Sequence, residues 1–133
     1  MADKVEFELV SPEHVLVSEA VDMVVVPGTE GDFGVLPGHA PVMAVLRPGV
    51  VEVHDEAGEP RRIFVASGFA EVTSERCTVL AEDSVPVADL DRAGLEQRLA
   101  DAREDLGDAA SDEQRHHAEA AIALFEEMLR AVA

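Results

Sequence analysis

The apolar residues of this sequence switch period near residue 88, and that switch constrains the fold more than any other feature. From Val5 to about Ala88 the sequence reads as short apolar runs broken by turns; past Asp89 the spacing becomes helical. Strands are predicted over Phe7–Val10, Val21–Val26, Val42–Leu46, Val50–His54, Ile63–Ala66, Ala70–Thr73 and Thr78–Ala81. Val51-Glu52-Val53-His54 alternates with period two, as a half-solvated strand does. The polar stretch Asp55-Glu56-Ala57-Gly58-Glu59-Pro60 reads as a hairpin turn before Ile63. Strands recurring at intervals of roughly ten residues predict an antiparallel sandwich or flattened barrel, closed by Pro86.

In the helical part, Asp89 is placed to cap a helix whose apolar stripe is Leu95, Leu99, Ala102 and Leu106. Gly107 fits a stop after that helix. Ser111-x-x-Gln114 is a capping box for a second helix, with the stripe Ala118, Ala121, Ile122, Phe125, Met128, Leu129 and Val132. The short connection predicts an antiparallel helical hairpin. The fold class is therefore α+β, with a β-sandwich over 1–88 and a helical hairpin over 89–133. Such a hairpin has a small core and depends on packing for its stability, so it is the part expected to detach, rearrange or bind elsewhere.

Composition narrows the function. A net charge of −18 argues against nucleic acid and anionic lipid surfaces, and fits solubility or a basic partner. The single cysteine, Cys77, cannot form an internal disulfide; in Arg76-Cys77-Thr78-Val79 it reads as a buried strand thiol. Met1-Ala2-Asp3-Lys4-Val5-Glu6 shows neither a secretion signal nor an Arg- and Ser-rich import segment, so a cytosolic protein is expected. No run approaches the ~20 apolar residues that cross a bilayer.

No catalytic or metal site is expected. His116 and His117 are adjacent, so on a helix they point about 100° apart, and no H-x-x-x-H or H-E-x-x-H spacing occurs. Ser67 lies in A-S-G-F rather than in a nucleophile elbow. The only lysine is Lys4, and no Walker A motif is present. Acids are so abundant that the sequence singles out no carboxylate pair for hydrolysis.

What remains distinctive is Pro27 to Gly49, P-G-T-E-G-D-F-G-V-L-P-G-H-A-P-V-M-A-V-L-R-P-G. Pro27-Gly28 and Pro37-Gly38 read as turn dipeptides, and Gly31 and Gly34 as bends around Asp32 and Phe33. So many fixed backbone positions with so little reactive chemistry describe a rigid loop made for protein recognition.

Gly28, Gly31, Gly34, Pro37, Gly38, His39, Ala40 and Pro41 stand as in the G-x-x-G-x-x-G-x-x-P-G-H-A-P string of the epsilon subunits of F-type rotary ATP synthases, which this sequence resembles. Phe64-Val65-Ala66-Ser67-Gly68-Phe69-Ala70-Glu71-Val72 and Thr78-Val79-Leu80-Ala81-Glu82 extend the resemblance, and the order of segments covers the whole sequence. It implies a non-catalytic rotor subunit of a bacterial enzyme, peripheral at the cytoplasmic face of the plasma membrane, with no cofactor. Glu30, Gly31 and Asp32 would meet the ring of c subunits, with Asp32 paired to a basic group of a ring loop. His39 would lie nearer the gamma subunit. The hairpin would rest on the sandwich or extend toward the alpha and beta subunits as a brake on ATP hydrolysis.

Some members of that family bind ATP through [I/L]-D-x-x-R-A at the start of the first C-terminal helix. Counted without gaps, Leu90 and Asp91 match, but Gly94 and Leu95 occupy the Arg and Ala places. A shift of two restores Asp89 and Arg92-Ala93 and loses the aliphatic residue. The hairpin holds five arginines among twelve acids, a poor charge balance for a triphosphate. Asp89 and Arg92 are therefore the candidate nucleotide contacts, or else a helix cap and a solvated ion-pair partner. An ATP-sensing module and a free-standing adaptor domain are the alternatives to a rotor subunit.

Overall fold

The computed structural model describes residues 3–56 and 58–132, so Ala57 of the expected hairpin turn lies outside the described residues. Two compact units meet in sequence between Pro86 and Val87. Among the described residues the first holds ten strands: β1 (Val5–Val10), β2 (Val15–Val21), β3 (Met23–Gly28), β4 (Gly31–Val35), β5 (Val42–Leu46), β6 (Gly49–His54), β7 (Arg61–Val65), β8 (Gly68–Val72), β9 (Arg76–Ala81) and β10 (Ser84–Pro86). They hydrogen-bond in the order β10-β7-β6-β3-β5-β8-β9-β1-β2, with β4 paired to β3. All pairings are antiparallel except β1 with β9.

The curl of this sheet follows from its side-chain pattern. Phe7, Leu9, Val24, Val26, Val51, Val53, Val65, Val72 and Val79 recur at alternate positions and are all buried in one cluster. A single apolar face on so long a sheet leaves water only if the sheet closes on itself. Arg61 on β7 is ion-paired with Glu19 on β2, so strands near opposite ends of the sheet order meet. Lys4 lies 2.7 Å from Asp22 and 3.0 Å from Asp55, fastening the start of β1 to the β2–β3 and β6–β7 connections. The predicted sandwich or flattened barrel is this half-barrel.

Three strands lie beyond those predicted. β4 contains Gly31 and Gly34 in five residues, too glycine-rich for local propensity to mark it; its pairing with β3 from Val24↔Val35 to Gly28↔Gly31 holds it. β2 alternates in exposure from Leu16 to Val21, but Glu19 stands among its inward positions, so its sequence shows no clean apolar alternation. β10 is short and ends in Pro86, which an edge strand tolerates. The Pro27-Gly28 expectation is corrected too: both residues close β3, and the turn is Thr29-Glu30.

The second unit opens with a 3-10 turn, Val87–Asp89, then α1 (Arg92–Gly107) and α2 (Asp112–Val132). Asp91, not Asp89, caps α1: its carboxylate accepts the Gly94 N–H at 3.2 Å, and Asp89 belongs to the preceding turn. Gly107 is the last helical residue and Asp108 the C-cap, its N–H bonding back to Glu104 and Leu106 carbonyls. The second capping box forms, with Ser111 Oγ accepting the Gln114 N–H at 3.1 Å. Gln114 Oε1 reaches one residue further back than the motif specifies, to the Ala110 N–H at 2.8 Å. Leu95, Leu99 and Ala102 are buried as predicted, whereas in α2 only Ala118 and Ala131 are; Ile122, Phe125, Met128 and Leu129 are half-exposed. Arg103–Glu126 at 3.6 Å and Arg92 Nη2 to the Val132 carbonyl at 3.1 Å hold the helices antiparallel.

Candidate functional site

The first part of the site is the tip of the β3–β4 hairpin. Gly28 pairs with Gly31 across a two-residue turn, Thr29-Glu30. Among the described residues only glycines have positive φ, so this turn cannot be of the I′ type; Gly31, at φ 135°, takes the conformation that brings β4 back. Glu30, Gly31 and Asp32 are therefore neighbours on one exposed tip, as expected, but two of them stand on a strand rather than in a loop.

That tip is tied down. The Thr29 N–H donates to the Val45 carbonyl at 3.0 Å, and the Arg47 N–H donates to the Pro27 carbonyl at 3.0 Å. The Arg47 guanidinium donates to the Gly28 carbonyl at 3.0 Å and to Asp32 Oδ1 at 2.7 Å. Sequence reasoning assigned nothing to Arg47, since only the return of β5 beside β3 brings it to the tip.

His39 lies near the same hairpin. Its ring centroid is 6.4 Å from that of Phe33, tilted by 36°, and Phe33 packs against the core. Nδ1 lies 2.6 Å from the Ala40 carbonyl, which can only accept, so Nδ1 carries a proton. The turn that presents His39 is fastened by the Gly38 N–H, which donates to the Ser74 carbonyl at 2.8 Å. Its ring thus bonds the loop backbone.

The second part was not foreseen. On the outward face of the sheet, Val45 pairs with Phe69, Phe69 with Leu80, and Leu80 with Val10, across β5, β8, β9 and β1. Val45, Phe69 and Leu80 are 53%, 52% and 46% exposed. Outward positions of a solvated sheet are ordinarily polar, as Glu71, Thr78 and Glu8 are beside Met43 in the next row, so a contiguous apolar row is a candidate docking surface. A groove of about 400 Å³ runs along it, lined by Val10, Pro12, Val45, Phe69, Leu80 and Glu82. Met43 and Val45 also line a groove of about 250 Å³ with Gly28, Glu30 and Phe33, so row and tip are continuous. Each strand shows these residues in its sequence; what the sequence hides is the register that aligns them.

Asp89 and Arg92, the candidate nucleotide contacts, sit at the opening of the second unit. The Arg92 guanidinium donates to the Val132 carbonyl at the end of α2, where a cation also suits the helix dipole. A phosphate would have to compete with that bond. Cys77 is fully buried on β9, and burial pushes its thiol up to about 12, which removes it as a nucleophile at neutral pH. Among the described residues no group of three or more His, Cys, Asp or Glu side chains could hold a metal ion, and no helix is long and apolar enough to cross a membrane.

A curled sheet bearing an apolar row beside an anchored acidic tip, followed by a separate helical hairpin, has the form of a docking protein. Residues 4–87 match the family described as the beta-sandwich domain of the ATP synthase Delta/Epsilon chain, and residues 91–132 match the C-terminal domain of the ATP synthase epsilon chain. The ATP synthase epsilon chain of Rhodospirillum centenum is 52% identical over all of this sequence and 94% of its own length. That of Paramagnetospirillum magneticum is 52% identical over the full length of both. One subunit of the Euglena gracilis mitochondrial ATP synthase, solved with OSCP, F1 and c-ring, superposes at a TM-score of 0.89 with 25% identity, covering all of this protein and 84% of that one. This protein belongs to the ATP synthase epsilon chain family and is a non-catalytic subunit of that complex.

Proposed function

We propose that this protein couples the two halves of the rotor, with the β unit joining the gamma subunit to the c ring. The observation that supports this is the continuity of two unlike surfaces on one rigid unit: an apolar row suited to a permanent partner, and a small acidic tip suited to polar loops. The gamma subunit takes the Val10, Val45, Phe69 and Leu80 row, with His39 at its border, because an obligate interface is apolar at its centre. The c ring takes the tip at Glu30, Gly31 and Asp32. The protein then sits peripherally at the cytoplasmic face of a bacterial plasma membrane, held there by its partners.

The helical unit serves as the brake on hydrolysis, extending toward the alpha and beta subunits. Its support is a hairpin whose apolar stripe on α2 is only half covered. The test uses membranes stripped of this subunit and reconstituted with the full-length protein. A Glu30→Lys variant is expected to bind gamma normally and to lower proton-coupled ATP synthesis; unchanged coupling sinks the ring contact. Deletion of residues 89–133 is expected to raise ATP hydrolysis, and equal hydrolysis sinks the brake.

A further inference from the structure

We infer that Arg47 is the positioning residue of the hairpin tip, holding β3 and β4 together from outside the hairpin and neutralising Asp32. One residue contacts both strands. Its N–H and Nη1 reach the Pro27 and Gly28 carbonyls at the end of β3, each at 3.0 Å, while Nη2 reaches Asp32 on β4 at 2.7 Å.

The local backbone prepares this geometry. Pro48 restricts Arg47 to extended conformations, so the guanidinium departs from a nearly fixed base. The planar fork satisfies a carbonyl and a carboxylate at once, which a lysine ammonium at the end of a flexible stem does less well. Arg47 and Asp32 side chains are 42% and 57% exposed, so the ion pair alone is weak. Its effect comes from combination with two main-chain bonds at one corner.

A second consequence concerns charge. Asp32 has an internal counter-charge, whereas Glu30 makes no ion pair among the described residues. Glu30 therefore carries the uncompensated charge of the tip toward a basic partner, and Asp32 belongs first to the scaffold. A charge reversal at Asp32 would put a cation against Arg47 and disturb the tip whatever it binds. The functional part of this inference rests on the tip facing the c ring; the positioning part does not.

The test is amide hydrogen exchange in the full-length protein, comparing wild type with Arg47→Gln, Arg47→Lys and Asp32→Asn. Arg47→Gln is expected to speed exchange of the Thr29–Asp32 amides roughly two- to fivefold, the range for losing an exposed pair, with core amides of β1 and β9 unchanged. Asp32→Asn keeps the Gly28 bond and is expected to fall between wild type and Arg47→Gln, as is Arg47→Lys. Identical tip exchange in Arg47→Gln and wild type overturns the inference. The same variants are then assayed for ATP synthesis in reconstituted membranes, where Arg47→Gln is expected to lower coupling and Arg47→Lys to recover part of it. Faster tip exchange with unchanged synthesis upholds Arg47 as the positioning residue and overturns the ring-facing role instead.

Discussion

Truncating Phe69 to alanine tests the apolar row most directly. Phe69 is 52% exposed, and a phenylalanine offers roughly 150–250 Å² in all, so roughly 80–130 Å² remains for a partner to cover. At about 25 cal/mol per Å² this is worth about 2–3 kcal/mol of binding, or roughly a 30- to 150-fold rise in Kd. The same substitution also removes the half of the ring already packed on the sheet, so folding stability falls by a comparable amount and must be followed by urea titration. Glu71→Ala is the matched control: Glu71 is exposed on the same strand two residues on, next to the row but outside it. The assay is association with gamma-containing F1 depleted of this subunit, measured at a temperature where all variants are folded. Phe69→Ala should weaken association by at least tenfold while Glu71→Ala stays within threefold. Equal affinities for Phe69→Ala and wild type would refute the reasoning, because a buried aromatic of this area cannot be silent.

Three further outcomes follow from the packing and the titrating groups. Gly68 has φ 153°, and a Cβ there would collide with the Leu80 carbonyl, so Gly68→Ala should destabilise the fold by more than about 2 kcal/mol, read as a lower urea midpoint. The hydrogen bond from Lys4 is the largest influence lowering the Asp22 carboxyl below its ordinary value of 3.8. Its stabilising effect is therefore present above that value and lost as pH falls through the lowered one, and Asp22→Asn should flatten the acid limb of the stability profile. Burial raises the Cys77 thiol from 9.0 to about 12. Below about pH 9 both folded and unfolded thiols are protonated, whereas above it the unfolded polypeptide ionises first. Stability should then fall by about 1.4 kcal/mol per pH unit, and Cys77→Ala should remove that slope in urea titrations at about pH 8 and 10.5.

The legible parts of this fold were those whose signal is local. Alternation in Val51-Glu52-Val53-His54, the capping box at Ser111 and Gln114, and the stripe through Leu95, Leu99 and Ala102 each declare themselves within one segment. The Pro27–Gly49 motif marked the β3–β4 hairpin as distinctive, but its glycines misplaced the turn, because β4 owes its existence to pairing with β3. Asp89 lost the cap to Asp91 for a similar reason: both are good N-caps, and a 3-10 turn at Val87–Asp89 chooses between them. The docking row and the Arg47 clamp were illegible because both are products of register. Val10 and Leu80 are 70 positions apart in number, and only the parallel pairing of β1 with β9 aligns them.

The anchoring of β3 bears on how the β unit would transmit force. β3 reaches the tip at Gly28, and the fastenings stand at its two ends: Asp22, held by Lys4, just before its first residue, and Arg47 at its last. Between them Val24 and Val26 are fully buried in the core. A strand held at both ends and packed along its length resists sliding, since any shift in register by one residue would turn buried valines outward. On the rotor reading, a load applied at Glu30 is passed into the core through β3 rather than absorbed by a flexible turn. The clamp at Arg47, like the Lys4–Asp22 pair at the other end, is a member of that path that a single substitution removes without emptying the core. Its loss should therefore soften coupling before it lowers the stability of the sheet.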